Sequence, residues 1–191
     1  MLELIPEQRI LLPTCSWETY DRLLSDHRDQ SGPRFTYDRG RLEIMSPSPA
    51  HERASEFVRL LIFTAAEELG LEAFGLGSST QRSADLERGV EPDSSFSFSG
   101  SEHPDLVVEI EVSRSSLDKL PIFAALGIAE VWRYDLDRLT IYRLEGSEYR
   151  TVERSSYLPL TASEITEQLS KTGDRSHVAW LRELRSWLKS R

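Results

Sequence analysis

Asp105-Leu-Val-Val-Glu-Ile-Glu-Val112 alternates with period two, which sets Leu106, Val108, Ile110 and Val112 on one face and Asp105, Val107, Glu109 and Glu111 on the other. A strand this apolar belongs in the middle of a sheet. Glu109 and Glu111 then share a face about 7 Å apart along the strand. Burying two carboxylates there is costly unless something positive compensates them. A divalent cation does so well, since Mg²⁺ and Mn²⁺ prefer hard carboxylate oxygens and keep waters that a phosphate can displace. The plainer reading is a solvated face whose acids pair with Arg or Lys.

Residues on either side bear on that choice. Asp93, in Val90-Glu91-Pro92-Asp93, precedes a second short apolar run, so a neighbouring strand end can deliver it to the same place. Lys119 lies just after the strand, in Ser115-Ser116-Leu117-Asp118-Lys119, where the next helix begins. Its ammonium can swing back toward the acids. His51 shares the helical angle of Ala54, Val58, Ile62 and Leu69 and so points inward, either as a satisfied core residue or as a border of the acidic site. Glu43 alternates with Leu42 and Ile44 in a hairpin strand and faces away from them.

Further out, the chain reads as helix, hairpin, helix, strands, helix, strands, helix. Residues 15–27 form a short helix capped by Ser16, and Phe35–Asp38 and Arg41–Met45 flank the turn Arg39-Gly40. The longest helix spans Pro49–Leu69, with Ser48 as N-cap and Gly70 past its end. Strands follow at 72–78, 95–98 and 105–112, then a helix capped by Asp118 that ends at Gly127. Strands at 129–134 and 138–144 precede an amphipathic helix from His177 to Lys189. The apolar stripe of that last helix, with Trp180 and Trp187, can cover its own sheet or a second copy. The order implies an α/β fold with a mixed central sheet flanked by helices. One domain is expected over residues 1–191, with a core at about 15–155 and a helical extension at 160–191.

Bulk properties narrow the function. Apolar residues at 39% and charged residues at 29% exclude a disordered chain. One cysteine, Cys15, excludes an internal disulfide framework, and Glu3, Glu7 and Arg9 interrupt the apolar N-terminal stretch, as a secretory signal would not. No run reaches the roughly 18 apolar residues of a membrane span. The expected location is the cytoplasm. A net charge of −9 repels nucleic acid at long range unless a local basic patch overrides it.

The stretches RGRLEIMSPSPAHE (39–52), EPD (91–93), PDLVVEIEVSRSSLDKLPIFAALGIAEVWRYD (104–135) and RLTIYRLEGSEYR (138–150) together resemble the Uma-two family of putative restriction endonucleases, within the PD-(D/E)XK nuclease superfamily. The resemblance implies a restriction-endonuclease-like core, a mixed four-stranded sheet flanked by helices, with a metal site at one edge. It implies that Asp93 is the metal-binding Asp and Glu109 the second carboxylate, with Glu111 nearby. The family's lysine position, two residues after the strand's acid, holds Glu111 here, or Ser113 where Glu111 is taken as that acid, and Lys119 would be its substitute. On this pattern Asp93 and Glu109, with the Ile110 carbonyl, would hold Mg²⁺ or Mn²⁺. Glu111 would hold a second metal or act as base, Lys119 would orient the attacking water, and His51 and Glu43 would line the site. The implied reaction is cleavage of nucleic acid, DNA first, by a chain that can pair as a homodimer to cut both strands.

Two other readings use the same acids. A nuclease fold that no longer cuts would serve as a binding or assembly module, which the displaced lysine and the negative charge favour. A metal-dependent phosphoesterase acting on a small ester would need a closed pocket, whereas a groove lined by Arg41, Arg53, Arg82, Arg88 and Arg114 would favour nucleic acid.

Overall fold

The computed structural model describes residues 7–27, 32–173 and 175–191. The chain opens with β1 (Gln8–Leu12), α1 (Trp17–Asp26), β2 (Arg34–Asp38), β3 (Arg41–Ser46) and α2 (Pro49–Leu69). Five short strands follow: β4 (Phe74–Gly77), β5 (Gln81–Ser83), β6 (Arg88–Val90), β7 (Ser94–Ser97) and β8 (Leu106–Ile110). The second half runs α3 (Leu120–Ala125), β9 (Glu130–Tyr134), β10 (Leu139–Glu145), β11 (Glu148–Val152), α4 (Ala162–Ser170) and α5 (His177–Lys189).

These strands form two sheets. One is antiparallel throughout, in the order β1-β3-β2-β6-β5. The other, β11-β10-β9-β8-β7-β4, is mixed, because β8 and β9 pair in parallel while its remaining neighbours are antiparallel. The α/β class and the mixed sheet are as expected, but the sheet has six strands instead of four. The β2–β3 hairpin belongs to the five-stranded antiparallel sheet. At its turn Arg39 and Gly40 both have positive φ, 45° and 86°, the backbone that suits a two-residue connection between right-twisted strands.

Strand β8 is buried along its whole length because both of its faces are covered. Leu106, Val108 and Ile110 join the main core with α2, α4 and α5. Val107, on the other face, packs with Ile122 and Phe123 of α3 and with Ile128 and Val131. The parallel β8–β9 pair needs a crossover, and α3 provides it. Its start differs from the sequence reading: Lys119, not Asp118, occupies the N-cap position. Asp118 Oδ1 instead accepts from the Leu120 N–H at 3.2 Å, a local turn one residue upstream.

Helix α2 begins where the Ser48 side chain accepts from the His51 N–H and ends at Gly70, whose φ of 68° only glycine adopts without strain. Helix α5 lays Trp180, Leu184 and Leu188 into the main core, so its apolar stripe is used within the chain. Among the described residues no helix is long and apolar enough to cross a membrane.

Candidate active site

Where the two sheets adjoin, polar side chains from six segments meet. Asp93 lies between β6 and β7, its own N–H bonded to the Val108 carbonyl at 3.2 Å, so it is registered against β8. Its Oδ2 accepts from the Ile110 N–H at 2.6 Å. Its Oδ1 sits 2.8 Å from Arg34 Nη1 of β2 and 2.8 Å from His51 Nε2 of α2. The other ring nitrogen of His51 contacts Glu7 Oε1. Glu7 Oε2 accepts from Arg9 Nη2 at 2.8 Å and from the Ser113 hydroxyl at 2.7 Å.

Arg9 also donates through Nη1 to Glu43 at 2.8 Å. Glu43 in turn accepts from the Ser115 hydroxyl and the Ser116 N–H, tying the loop after β8 to the hairpin strand β3. One turn further on, Lys119 Nζ donates to Glu109 Oε2 at 2.6 Å. Glu109 Oε1 is buried and has no hydrogen-bond partner among the described residues.

Four carboxylates (Glu7, Glu43, Asp93 and Glu109) are thus interleaved with Arg9, Arg34, His51 and Lys119. The chain supplies the neutralising charge itself. His51 is fully buried between two acids, and Lys119 turns back onto Glu109 as its position allows. Glu43 reaches the loop and not Asp93 or Glu109. Glu111 stands apart: it lies past the end of β8, half-buried, 3.9 Å from Arg133. Among the described residues no three His, Cys, Asp or Glu side chains converge as a metal-sized group.

Burial and charge push these groups apart. Burial raises the Asp93 carboxyl, but His51, Lys119 and Arg34 outweigh it and hold the group well below the usual range. Glu109 goes the other way, raised by burial and by the negative charge of Asp93, which the Lys119 ammonium only partly offsets. Burial alone would lower Lys119, yet Glu109 and Asp93 raise it. His51 loses affinity for its proton through burial and regains more from Asp93 and Glu7, reaching about 9. Glu7, raised by burial, is brought down to about 2 by His51, Ser113 and Arg9. The two neighbouring carboxyls are thus shifted in opposite directions, Asp93 down and Glu109 up.

Beside Glu109 opens a cavity of about 400 Å³ whose cationic walls are Arg9, Arg114, Lys119 and Arg133. Of the arginines expected to line a groove, Arg114 alone does so here. Arg53 bonds the carbonyls of Gly173 and Arg175, Arg82 pairs with Asp21, Arg88 pairs with Asp38, and Arg41 lies exposed on β3. Glu7, Arg9 and Arg34 were not legible as site residues. Their one signal is that Glu7 and Arg9 alternate as charges at the start of an apolar strand, which places both on one face.

The solved structure of a putative nuclease of the DUF820 group from Anabaena variabilis has the same fold, with 16% sequence identity, a TM-score of 0.57, and coverage of 81% of this chain and 99% of that one. No curated protein matches the chain. Residues 17–172 match the family model Uma2, described as putative restriction endonuclease, and the chain belongs to that family.

Proposed function

We propose that the chain is a divalent-metal-dependent endonuclease that hydrolyses phosphodiester bonds of nucleic acid, DNA first. The observation that carries this reading is the Asp93–Glu109–Lys119 constellation, with one buried carboxylate oxygen, Glu109 Oε1, left without a partner beside a cation-lined cavity. The donor chemistry fits a hard cation: Asp93 and Glu109 would hold Mg²⁺ or Mn²⁺, with Glu111 at the rim. When bound, such an ion acidifies a water and neutralises charge on the scissile phosphate. Lys119, kept protonated by its acidic neighbours, would orient the attacking water and stabilise developing negative charge. Arg34 and His51 would keep Asp93 ionised and fixed in direction. Glu43, through Arg9, Ser115 and Ser116, would position the loop that carries the cavity wall.

A plasmid-nicking assay with Mn²⁺ tests this, read beside calorimetric titration of Mn²⁺. Nicking by the wild type and a loss of at least about a hundredfold in Glu109→Ala are expected. Nicking that persists in Glu109→Ala, or equal Mn²⁺ affinity in both proteins, would remove the assignment.

One observation favours the alternative of a nuclease fold that binds without cutting. Asp93 already has an N–H and two cations on its oxygens, and every acid of the network has a protein cation beside it. On that reading wild-type protein holds DNA and leaves it intact in Mg²⁺ and Mn²⁺ alike.

A further inference from the structure

The cavity beside Glu109 is lined by four cationic side chains and by three acids, Glu109, Glu111 and Asp118, an excess of one positive charge on a chain whose net charge is −9. Its four cations are not equivalent. Arg9 is spoken for: its side chain is 10% exposed, and its nitrogens bond Glu7, Glu43 and Ser113. Lys119 is held by Glu109. Arg133 is bound only loosely, 3.9 Å from Glu111 and 3.6 Å from Asp118, both beyond hydrogen-bond length. Its guanidinium carbon lies over the Tyr142 ring at 5.4 Å, a contact that uses none of its N–H donors. Arg114 is exposed at the mouth, and no hydrogen bond or ion pair engages it among the described residues.

We infer that Arg114 and Arg133 form a phosphodiester clamp that grips backbone phosphates on either side of the scissile one, so that the site takes a polynucleotide strand and not a small phosphate ester. This rests on the nuclease reading above and names the substrate class of that site. A small ester brings one anion to the neighbourhood of Lys119 and leaves two further arginines unmatched. A strand brings a phosphate at every nucleotide, and the planar guanidinium suits a phosphate's paired oxygens. Arg133 would exchange two long, weak contacts with carboxylates for short ones with phosphate. Contacts of this kind set affinity and register without reading sequence.

The test is fluorescence anisotropy of a labelled oligonucleotide in EDTA, over a series of NaCl concentrations, for wild type, Arg114→Gln, Arg133→Gln, Arg133→Lys and the remote control Arg22→Gln, whose side chain is 84% exposed on α1. Each clamp glutamine variant is expected to bind roughly tenfold more weakly at low salt, and to lower the slope of log K against log salt by about 0.7 to 0.9. Arg133→Lys should retain the slope and lose part of the affinity. In Mn²⁺, the clamp variants should raise KM for oligonucleotide cleavage and leave kcat within about twofold. Thermal melts show whether Arg133→Gln is folded, and Arg114→Gln stands as the second variant on an exposed residue. Wild-type cleavage with unchanged slopes in Arg114→Gln and Arg133→Gln, or losses matched by Arg22→Gln, would overturn the clamp and leave the nuclease reading standing. A wild type that neither binds nor cuts the oligonucleotide overturns both.

Discussion

Lys119 and Glu109 are buried together, so each depends on the other more than either depends on solvent. Removing one partner of such a pair leaves an uncompensated group in a low-dielectric setting, typically at a cost of about 3 to 5 kcal/mol. Lys119→Met should therefore lower stability by about that amount in urea denaturation. The double variant Lys119→Met with Glu109→Gln should recover a substantial part of it, and equal losses in single and double variants would mean the pair is not coupled. The same network predicts a pH profile. The contributions of Glu7 and Asp93, whose folded-state values are lowered, are present above about pH 4.5 and fade as pH falls toward 2. Glu109 is raised, so its contribution fades as pH climbs out of the carboxylate range. His51, raised from 6.5 to about 9, contributes fully below 6.5 and loses that contribution by about 9. The melting temperature should peak in mildly acidic buffer and decline toward pH 9. His51→Gln should flatten the limb above neutrality, and an unchanged limb in that variant would show that His51 does not carry it. Glu109 and His51 could be placed from local pattern because periodicity fixes which way each points, and Asp93 and Lys119 because each lies close to a strand in sequence. Glu7, Arg9 and Arg34 could not, since Glu7 meets Ser113 across 106 residues and Arg34 meets the Pro92 carbonyl across 58.

Elements were legible in proportion to their length and regularity. Helix α2 has a cap, a proline, an apolar stripe that runs the length of its 21 residues, and a glycine stop, so all signals agree. Strands β5 and β6, three residues each, carry no periodicity of their own and exist because β2 offers an edge. Helix α4 does carry a signal, the Thr161/Glu164 capping box, although only a few apolar residues follow it. In β6 the decisive residue is Gly89. A Cβ there would fall 2.1 Å from the Tyr20 hydroxyl and 2.6 Å from its ring carbon, and Tyr20 is itself stacked on Tyr37 at 4.9 Å. The glycine lets α1 press against the sheet. Gly89→Ala should cost about 1 to 3 kcal/mol through overpacking, and pairing it with Tyr20→Phe should relieve part of that by removing the hydroxyl. A neutral Gly89→Ala in chemical denaturation would show that α1 can lift away freely. Glu130, the first residue of β9, is buried three residues after Gly127 and two before Trp132. Glu130 accepts from the Trp132 indole, the Ser155 hydroxyl and the Ser156 N–H, which brackets β9 to the segment leading into α4.

At the scale of the whole molecule, the family match ends at residue 172, yet the main core does not. Trp180, Leu184 and Leu188 of α5 are buried among residues of α2, and Trp180 meets Phe57 edge-on at 5.0 Å. Its indole also donates to the Gln168 carbonyl of α4, and Arg185 pairs with Glu67 and Glu68 near the end of α2. Helix α2 itself presents His51 to Asp93 from its first turn. The site is therefore held in place by a helix whose outer side α5 covers, and we propose that residues from β1 to α5 unfold as one unit. Leu184→Ala should lower stability by about 2 to 5 kcal/mol with the denaturant slope unchanged. Far-UV circular dichroism and tryptophan fluorescence should report a single midpoint, since Trp132 and Trp180 sit in the same core. A chain ending at residue 172 would expose the α2 face that Trp180, Leu184 and Leu188 now cover. It should lose the cooperative transition and any nicking activity together. If it melts at the wild-type temperature, α5 is an independent appendage and the rigidity of His51 must come from the sheets alone.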